Sequence, residues 1–155
     1  MKIRLVTVSR GRTPWADEGA EDYGRRIGRY TAFEEVRLKP ERIDDQQAAK
    51  SAEGKRLLRL VGEGDWLIAF DERGKSLSSE AWAGLIEEAT RASVRNLFFA
   101  IGGPYGHGPA VRQAAKRCVA LAPMVLNHQV ARVVALEQIY RAWTILRREP
   151  YHHAG

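Results

Sequence analysis

The chain has little that would mark a secreted or membrane protein. It contains one cysteine, Cys118, among 155 residues, which excludes an intrachain disulfide framework and any cysteine-rich metal site. No segment approaches the roughly 20 apolar residues that a membrane-spanning helix needs. Arg4 and Arg10 interrupt the apolar start of the chain and no small-residue cleavage site follows, so we do not interpret it as a signal peptide. These absences favour a cytoplasmic protein that does not associate with a membrane.

Several patterns of familiar chemistry are also missing. None of the four histidines (His107, His128, His152 and His153) forms an i, i+4 pair or has a carboxylate at ligand spacing, so we expect no metal. No G-x-S-x-G segment supports a serine nucleophile. The glycine-rich segment 102–108 lacks a following Lys-Ser/Thr and the G-x-G-x-x-G order, which argues against a Walker loop and a dinucleotide fingerprint.

What the chain does have is an excess of positive charge. It carries 25 lysines and arginines against 19 acidic residues, a net charge of +6. This excess favours an anionic partner, with nucleic acid as the first candidate. Arginine far outnumbers lysine, and its planar guanidinium suits phosphate recognition and base stacking. The composition therefore favours RNA among the anionic partners.

Apolar runs alternate with helical patterns along the chain. They predict strands at 3–8, 33–38, 66–70, 97–101 and 119–121, and helices at 15–29, 46–61, 79–92, 109–117 and from Asn127 towards Pro150. We interpret 71–75 as a turn and Ser79 as a helix cap. This alternation predicts an α/β fold in which helices cover both faces of a mostly parallel sheet. Residues 1–155 are expected to form a single domain.

The last thirty residues are the most informative. Asn127 is a suitable N-cap residue, and Pro150 prevents the helix from continuing. Between them the apolar positions cover more than one stripe, which predicts a helix buried on two sides. Tyr151, His152 and His153 follow. We interpret these three residues either as a functional tail or as a fraying polar terminus.

Three strand ends are unusual, and ligands of open α/β sheets bind beyond the carboxyl ends of strands. Phe70-Asp71 ends one strand, Gly102-Gly103 ends another, and the apolar segment 122–126 follows a third. The glycines are interpreted either as a tight turn that needs positive φ or as a close backbone approach to a ligand. A glycine loop beside an apolar loop suits an adenine and a thioether. Asp71 is either a turn cap or part of this site, and Cys118 is assigned to the core.

The chain also resembles a known family. The segments that carry the resemblance are Leu126-Asn127-His128-Gln129, Arg132, Tyr140-Arg141-Ala142-Trp143, Pro150-Tyr151-His152 and Ile101-Gly102-Gly103-Pro104. In this order and spacing they closely resemble the SPOUT-superfamily methyltransferases that act on N3 of a pseudouridine in 23S rRNA. The resemblance covers essentially the whole chain. It implies a C-terminal trefoil knot, a homodimer in which the final helix also packs on the partner subunit, and the assembled ribosome as substrate.

The resemblance also implies a site, residue by residue. The expected S-adenosylmethionine pocket consists of Phe70, Gly103, Ala122, Pro123, Met124, Val125, Leu126 and Asn127. Residues expected around the target base are His128, Arg132, Arg141, Tyr151 and His152, with His152 as candidate base and Arg141 as candidate electrostatic stabiliser. Phe70 stands where relatives often have leucine, and Asn127 where some have proline. For the two arginines the alternative is salt bridging at the surface or in a dimer.

Two other functions compete with this interpretation. A non-catalytic RNA-binding, ribosome-associated module explains the charge and the tail, but it leaves the glycine loop and the apolar loop without a ligand. A nucleotide-binding enzyme on a doubly wound sheet is disfavoured by the missing phosphate fingerprints.

Overall fold

The computed structural model describes residues 1–154 and contains five strands and five helices within them. In chain order they are β1 Lys2–Val8, α1 Pro14–Ile27, β2 Ala32–Leu38, α2 Gln46–Leu58, β3 Trp66–Ser76, α3 Ser79–Arg91, β4 Asn96–Ile101, α4 Pro109–Ala114, β5 Arg117–Ala120 and α5 His128–Leu146. No helix in this part of the chain is long and apolar enough to cross a membrane.

The five strands form one parallel sheet in the order β2-β1-β4-β3-β5. In the centre, Lys2 of β1 pairs with Ala32 of β2 on one side and with Asn96 of β4 on the other. Because all the strands run in one direction, their carboxyl ends meet at a single edge. The parallel sheet predicted from the sequence is confirmed.

Helices cover both faces of the sheet, as predicted. Leu5 and Phe99 belong to the core on one face, where α1, α3 and α5 pack. Val6 follows Leu5 in β1, and Phe98 precedes Phe99 in β4. Both belong to the core under α2 and α4 on the other face. Both faces are therefore apolar because successive strand side chains point in opposite directions.

Three local predictions are wrong. Residues 71–75 are not a simple turn, because β3 continues to Ser76 after a shift in its pairing with β5. Gly74 makes this possible, since a Cβ there would lie 2.6 Å from the backbone of Cys118. The cap of α3 is Ser78, whose side chain accepts from Ala81 N–H, and not Ser79. Helix α4 ends at 114 rather than 117, since β5 begins at Arg117.

Helix α5 is buried on two sides, as its apolar pattern predicts. Asn127 caps it by accepting a hydrogen bond from Gln129 N–H at 2.8 Å, as expected. The helix lies between α1 and α3 of the same chain, with Ala135 and Ile139 fully buried. It ends at Leu146, before Pro150. Just beyond its end, Arg148 adopts a left-handed φ of 57°. The second buried side is thus provided by the chain's own helices.

Candidate functional site

A cavity of about 720 Å³ opens beyond the carboxyl ends of β4 and β5, beside the point in β3 where its pairing shifts after Phe70. It brings together the three strand ends singled out in the sequence. The predicted cofactor residues that line it are Phe70, Gly103, Ala122, Met124, Val125, Leu126 and Asn127. Pro123 is exposed in the same loop but is not part of the wall. His128, predicted near the target base, also lines this cavity.

The glycine loop forms one wall of the cavity through a tight turn. Gly106 N–H donates to Gly103 O at 2.9 Å, and Gly106 has a φ of 76°, which favours glycine. A Cβ on Gly102 would lie 2.8 Å from the carbonyl carbon of Gly106. His107 fixes the loop from inside, since its Nε2 lies 3.0 Å from Ala100 O, and burial lowers its pKa. The two interpretations of the glycines are therefore compatible, because the tight turn is also the cavity wall.

The opposite wall is apolar and open to solvent. Met124 is 66% exposed and Val125 is 79% exposed, which is unusual for such side chains. The Phe70 ring stacks on Trp82 and Phe99 at centroid distances of 5.6 and 6.0 Å, so its position is fixed by the core. The cavity thus has a rigid aromatic base and an exposed apolar loop at its mouth.

The rim carries charged groups whose arrangement the sequence did not reveal. The Asp71 carboxylate is only 6% exposed, and it accepts hydrogen bonds from Nε and Nη2 of Arg73 at 2.9 and 2.8 Å. The Arg73 guanidinium lowers the pKa of Asp71 to about 2. Lys50 of α2 also lines the cavity. Neither Arg73 nor Lys50 belongs to a recognisable motif. Only Asp71 could be identified from the sequence, because it follows an apolar run that predicts a strand.

A second group of predicted residues assembles around the C-terminal tail. Tyr151 packs edge-on against Tyr140, with ring centroids 4.7 Å apart, and its hydroxyl donates to Glu137 at 3.1 Å. The Arg141 guanidinium lies over the Tyr151 ring, 4.7 Å from its centroid. Burial raises the pKa of Tyr151 above its ordinary value. The tail residue Tyr151 is therefore folded back on α5 rather than frayed.

His152 completes this group, which we call the tail group (Glu137, Arg141, Tyr151 and His152). Nη1 of Arg141 lies 3.3 Å from Nδ1 of His152, and Nε2 lies 2.9 Å from a carboxylate oxygen of Glu80 on α3. Because arginine can only donate, Nδ1 is the acceptor and Nε2–H donates to Glu80. These contacts orient the imidazole between a cation and a carboxylate.

The tail group and the cavity lie at different places along α5. His128 is at the first residue of the helix and Arg141 is 13 residues later, which corresponds to about 20 Å along the helix axis. Within one chain, the cavity and the tail group are therefore separate sites.

Comparison with known proteins decides the family. The family model described as "Predicted SPOUT methyltransferase" matches residues 1–152. The chain belongs to the SPOUT methyltransferase family. A relative from Syntrophotalea carbinolica, named Ribosomal RNA large subunit methyltransferase H, is 43% identical over 99% of both chains. A protein of the same name from Geotalea uraniireducens is 41% identical over 99% of this chain and 100% of its own.

Solved structures support the SPOUT fold of this family member. A "Probable Methyltransferase" from Bordetella pertussis matches with a TM-score of 0.56 at 15% identity, covering 90% of this chain and 95% of its own. A "probable methylase family protein" from Haemophilus influenzae also has a TM-score of 0.56, at 14% identity, and covers 98% of this chain and 70% of its own. At such identities the likeness concerns the fold alone.

In this SPOUT family member, Arg132 belongs to neither group. Its side chain is 5% exposed and donates from Nε and Nη2 to Glu35 on β2 at 2.5 and 3.1 Å. Nη1 donates to Asp17 on α1 at 2.6 Å, and Asp17 also pairs with Arg37. Arg132 thus joins α5 to α1 and β2 through ion pairs within the chain. This arrangement is similar to the alternative given above for Arg132, which was salt bridging at the surface or in a dimer. Among residues 1–154 no cluster of possible metal ligands is found.

Proposed function

We propose that this chain is an S-adenosylmethionine-dependent methyltransferase that modifies N3 of a pseudouridine in the 23S rRNA of the assembled ribosome. The proposal includes a cytoplasmic homodimer and the trefoil knot that the resemblance implies. The observation that carries it is the cavity formed by three strand ends, in a chain that aligns end to end with relatives named Ribosomal RNA large subunit methyltransferase H.

The cavity fits the proposed cofactor in size and chemistry. About 720 Å³ is within the usual range for small-molecule sites. Apolar side chains from Phe70 and Leu126 suit an adenine and a thioether, and Gly103 allows close approach of the backbone. At the rim, the Arg73 side chain is 65% exposed and suits the carboxylate of the methionine portion, while Asp71 holds it in place.

When bound, S-adenosylmethionine supplies an electrophilic methyl group on sulfur. The contribution of the chain is to hold the acceptor nitrogen in line with that group and to exclude water. Because the sulfonium charge disappears during transfer, apolar walls such as Leu126 and Met124 do not penalise the transition state. His128, the first residue of α5, also lines this cavity and is proposed to face the target base.

The tail group supplies the groups that the imide nitrogen needs. An imide becomes nucleophilic when its N3 proton is removed, which requires a base or a cation that favours the anion. The proposed base is His152 and the proposed stabilising cation is Arg141. For His152 to accept the proton at Nδ1, the contact with Arg141 has to open. This releases Nη1 of Arg141 towards the imide oxygen, while Nε and Nη2 stay bonded to Glu137.

A second copy of the chain is proposed to bring the two groups together. The roughly 20 Å along α5 between His128 and Arg141 is too far for one base to touch both. Trp15 on α1 and Val130 on α5 are 57% and 39% exposed, which suits a partner surface on these helices. The tail group of one subunit would then face the cavity of the other.

Methylation of ribosomes tests the activity. We expect the purified chain to add one methyl group to 23S rRNA in ribosomes from a strain that lacks it, with 3-methylpseudouridine identified by mass spectrometry. Failure to form any methylated pseudouridine would refute the function. Calorimetry with S-adenosylmethionine distinguishes this enzyme from the non-catalytic RNA-binding module. Absence of binding at millimolar cofactor concentration would favour the non-catalytic module.

Mixed dimers test the composite site. Deleting residues 151–155 is expected to abolish transfer and to spare cofactor binding, while Gly103→Asp is expected to block the cavity and leave the tail intact. Mixing the two inactive chains should restore part of the activity, because one mixed site contains both an intact cavity and an intact tail. Absence of restoration, with mixed dimers shown by mass spectrometry, would contradict a tail that acts on the partner subunit.

A further inference from the structure

A second large cavity lies at the carboxyl ends of β1 and β2, outside the site described above. It is formed by segments 9–11 and 39–42 together with Arg37, and its volume is about 720 Å³. We call it the β1–β2 cleft. Neither the predicted cofactor residues nor the tail group contributes to it.

The cleft is strongly cationic, and most of its charge is unpaired. Three of its cationic side chains, Arg10, Lys39 and Arg42, are exposed and have no carboxylate within 4.0 Å among residues 1–154. The carboxylate in its lining, Glu41, is already paired with Arg56 at 3.0 Å. The cleft therefore presents free positive charge to solvent, which attracts phosphate groups.

Hydrogen bonds hold the two walls of the cleft in place. Nη2 of Arg10 donates to the carbonyl of Pro40 at 3.3 Å, from one wall to the other. Nη1 of Arg37 donates to the carbonyl of Gly11 at 3.0 Å, and Nη2 of Arg56 donates to the carbonyl of Lys39 at 2.5 Å. These bonds leave the ammonium of Lys39 and the guanidinium of Arg42 free while fixing the backbone that carries them.

The cleft and the cofactor cavity are separate but lie at the same edge of the sheet. Strand β1 is next to β4, whose end carries the glycine loop. The buried carboxylate of Glu53 connects them: its Oε1 accepts from Glu41 N–H at 3.0 Å, and its Oε2 lies 2.7 Å from where a Cβ of Gly103 would be. One side chain thus supports the cleft loop and the cavity wall.

We propose that the β1–β2 cleft binds the phosphate backbone of the rRNA strand next to the target nucleotide. This inference rests on the proposed function and assigns a surface to its substrate. At Phe70, β3 lies two strand spacings from β1, since Ile101 of β4 pairs with both Phe70 and Thr7. This separation of about 10 Å matches about three phosphates at about 3.4 Å each along a stacked strand. A strand with its target base at the cofactor cavity can therefore place neighbouring phosphates against Arg10, Lys39 and Arg42.

The test measures ribosome binding by a variant with Arg10, Lys39 and Arg42 all changed to glutamine. Each phosphate contact changes the slope of log affinity against log salt by about 0.7 to 0.9. Loss of three contacts is expected to flatten the slope by about 2 to 3 and to weaken binding about 100-fold near 0.1 M salt. Co-sedimentation with ribosomes from the deletion strain, over 0.05–0.3 M salt, gives both quantities.

A matched variant controls for net charge. Arg29, Arg59 and Arg95 are also exposed and lack a carboxylate partner in the described part of the chain, but they precede β2, β3 and β4 and lie at the amino edge of the sheet. Changing all three to glutamine removes the same charge. We expect this control to keep the wild-type slope and to bind within about threefold of wild type.

Three outcomes overturn the proposal: equal weakening in both variants, no weakening in the cleft variant, and no ribosome binding by the wild-type chain. Calorimetry with S-adenosylmethionine shows that each variant is folded, since the cofactor cavity is unchanged. Methyl transfer measured on the same samples tests the proposed function separately. Wild-type binding without transfer would refute the methylation and leave the assignment of the cleft intact.

Discussion

Replacing Arg132 by glutamine distinguishes a residue that contacts the substrate from one that stabilises the fold. The sequence resemblance places Arg132 near the target base, whereas the structure places its guanidinium between Glu35 and Asp17. The two roles predict different measurements. A structural role lowers the free energy of unfolding, and a catalytic role lowers kcat in a chain that is as stable as wild type.

The expected loss of stability follows from the partners that remain. Asp17 keeps Arg37, but Glu35 has no other cation within 4.0 Å among the residues described. Removing one member of a fully buried ion pair costs about 3–5 kcal/mol. Because the Glu35 side chain is 19% exposed, water compensates part of this, and we expect a loss of about 2–3 kcal/mol.

Urea unfolding followed by tryptophan fluorescence measures this loss, and methyl transfer is measured where both chains are folded. The double variant Arg132→Gln with Glu35→Gln is the control, since it leaves no uncompensated charge, and it should cost less than the sum of the single changes. A loss below about 0.5 kcal/mol in Arg132→Gln, the range of an ordinary surface substitution, together with a large fall in kcat, would refute the structural role.

Two further predictions concern the rim and the glycine loop. Since the pKa of Asp71 is lowered to about 2, its carboxylate stabilises the fold by about 1–2 kcal/mol above pH 4, and this is lost as the pH falls towards 2. Asp71→Asn should therefore flatten the fall of Tm between pH 4 and pH 2, and an unchanged slope would contradict this. Gly103→Ala places a Cβ 2.7 Å from Glu53 Oε2, so we expect weaker S-adenosylmethionine binding by calorimetry and about 1 kcal/mol lower stability. Adding Glu53→Ala should relieve part of both effects, and equal effects with and without Glu53 would show that the crowding is unimportant.

Features that depend on neighbouring residues could be predicted from the sequence. The strands appear as short apolar runs, and the cap of α5 depends on Asn127 and the first turn of the helix. The glycine loop was recognised because a turn with positive φ, as at Gly106, requires residues of that type. The three strand ends converge because parallel strands share one carboxyl edge.

Features that depend on distant residues could not be predicted in this way. Arg132 is paired with groups 97 and 115 residues away, and no local pattern encodes either partner. The shift in β3 depends on Gly74 lying against the backbone of Cys118 on β5, so the turn residues in 71–75 wrongly predict a simple turn. The β1–β2 cleft could not be predicted either, because its walls come from two loops that are distant in the sequence.

The length of α5, 19 residues, limits which mutations this chain can accept without loss of function. The helix fixes the separation and the relative orientation of His128 and Arg141. One residue inserted between His128 and Tyr140 would turn everything after it by about 100° and advance it by about 1.5 Å, so that Arg141 and the tail would be displaced relative to His128. A substitution on the exposed face leaves both quantities unchanged. Functional descendants of this chain are therefore expected to vary in α5 by replacement of residues and not by their insertion or deletion.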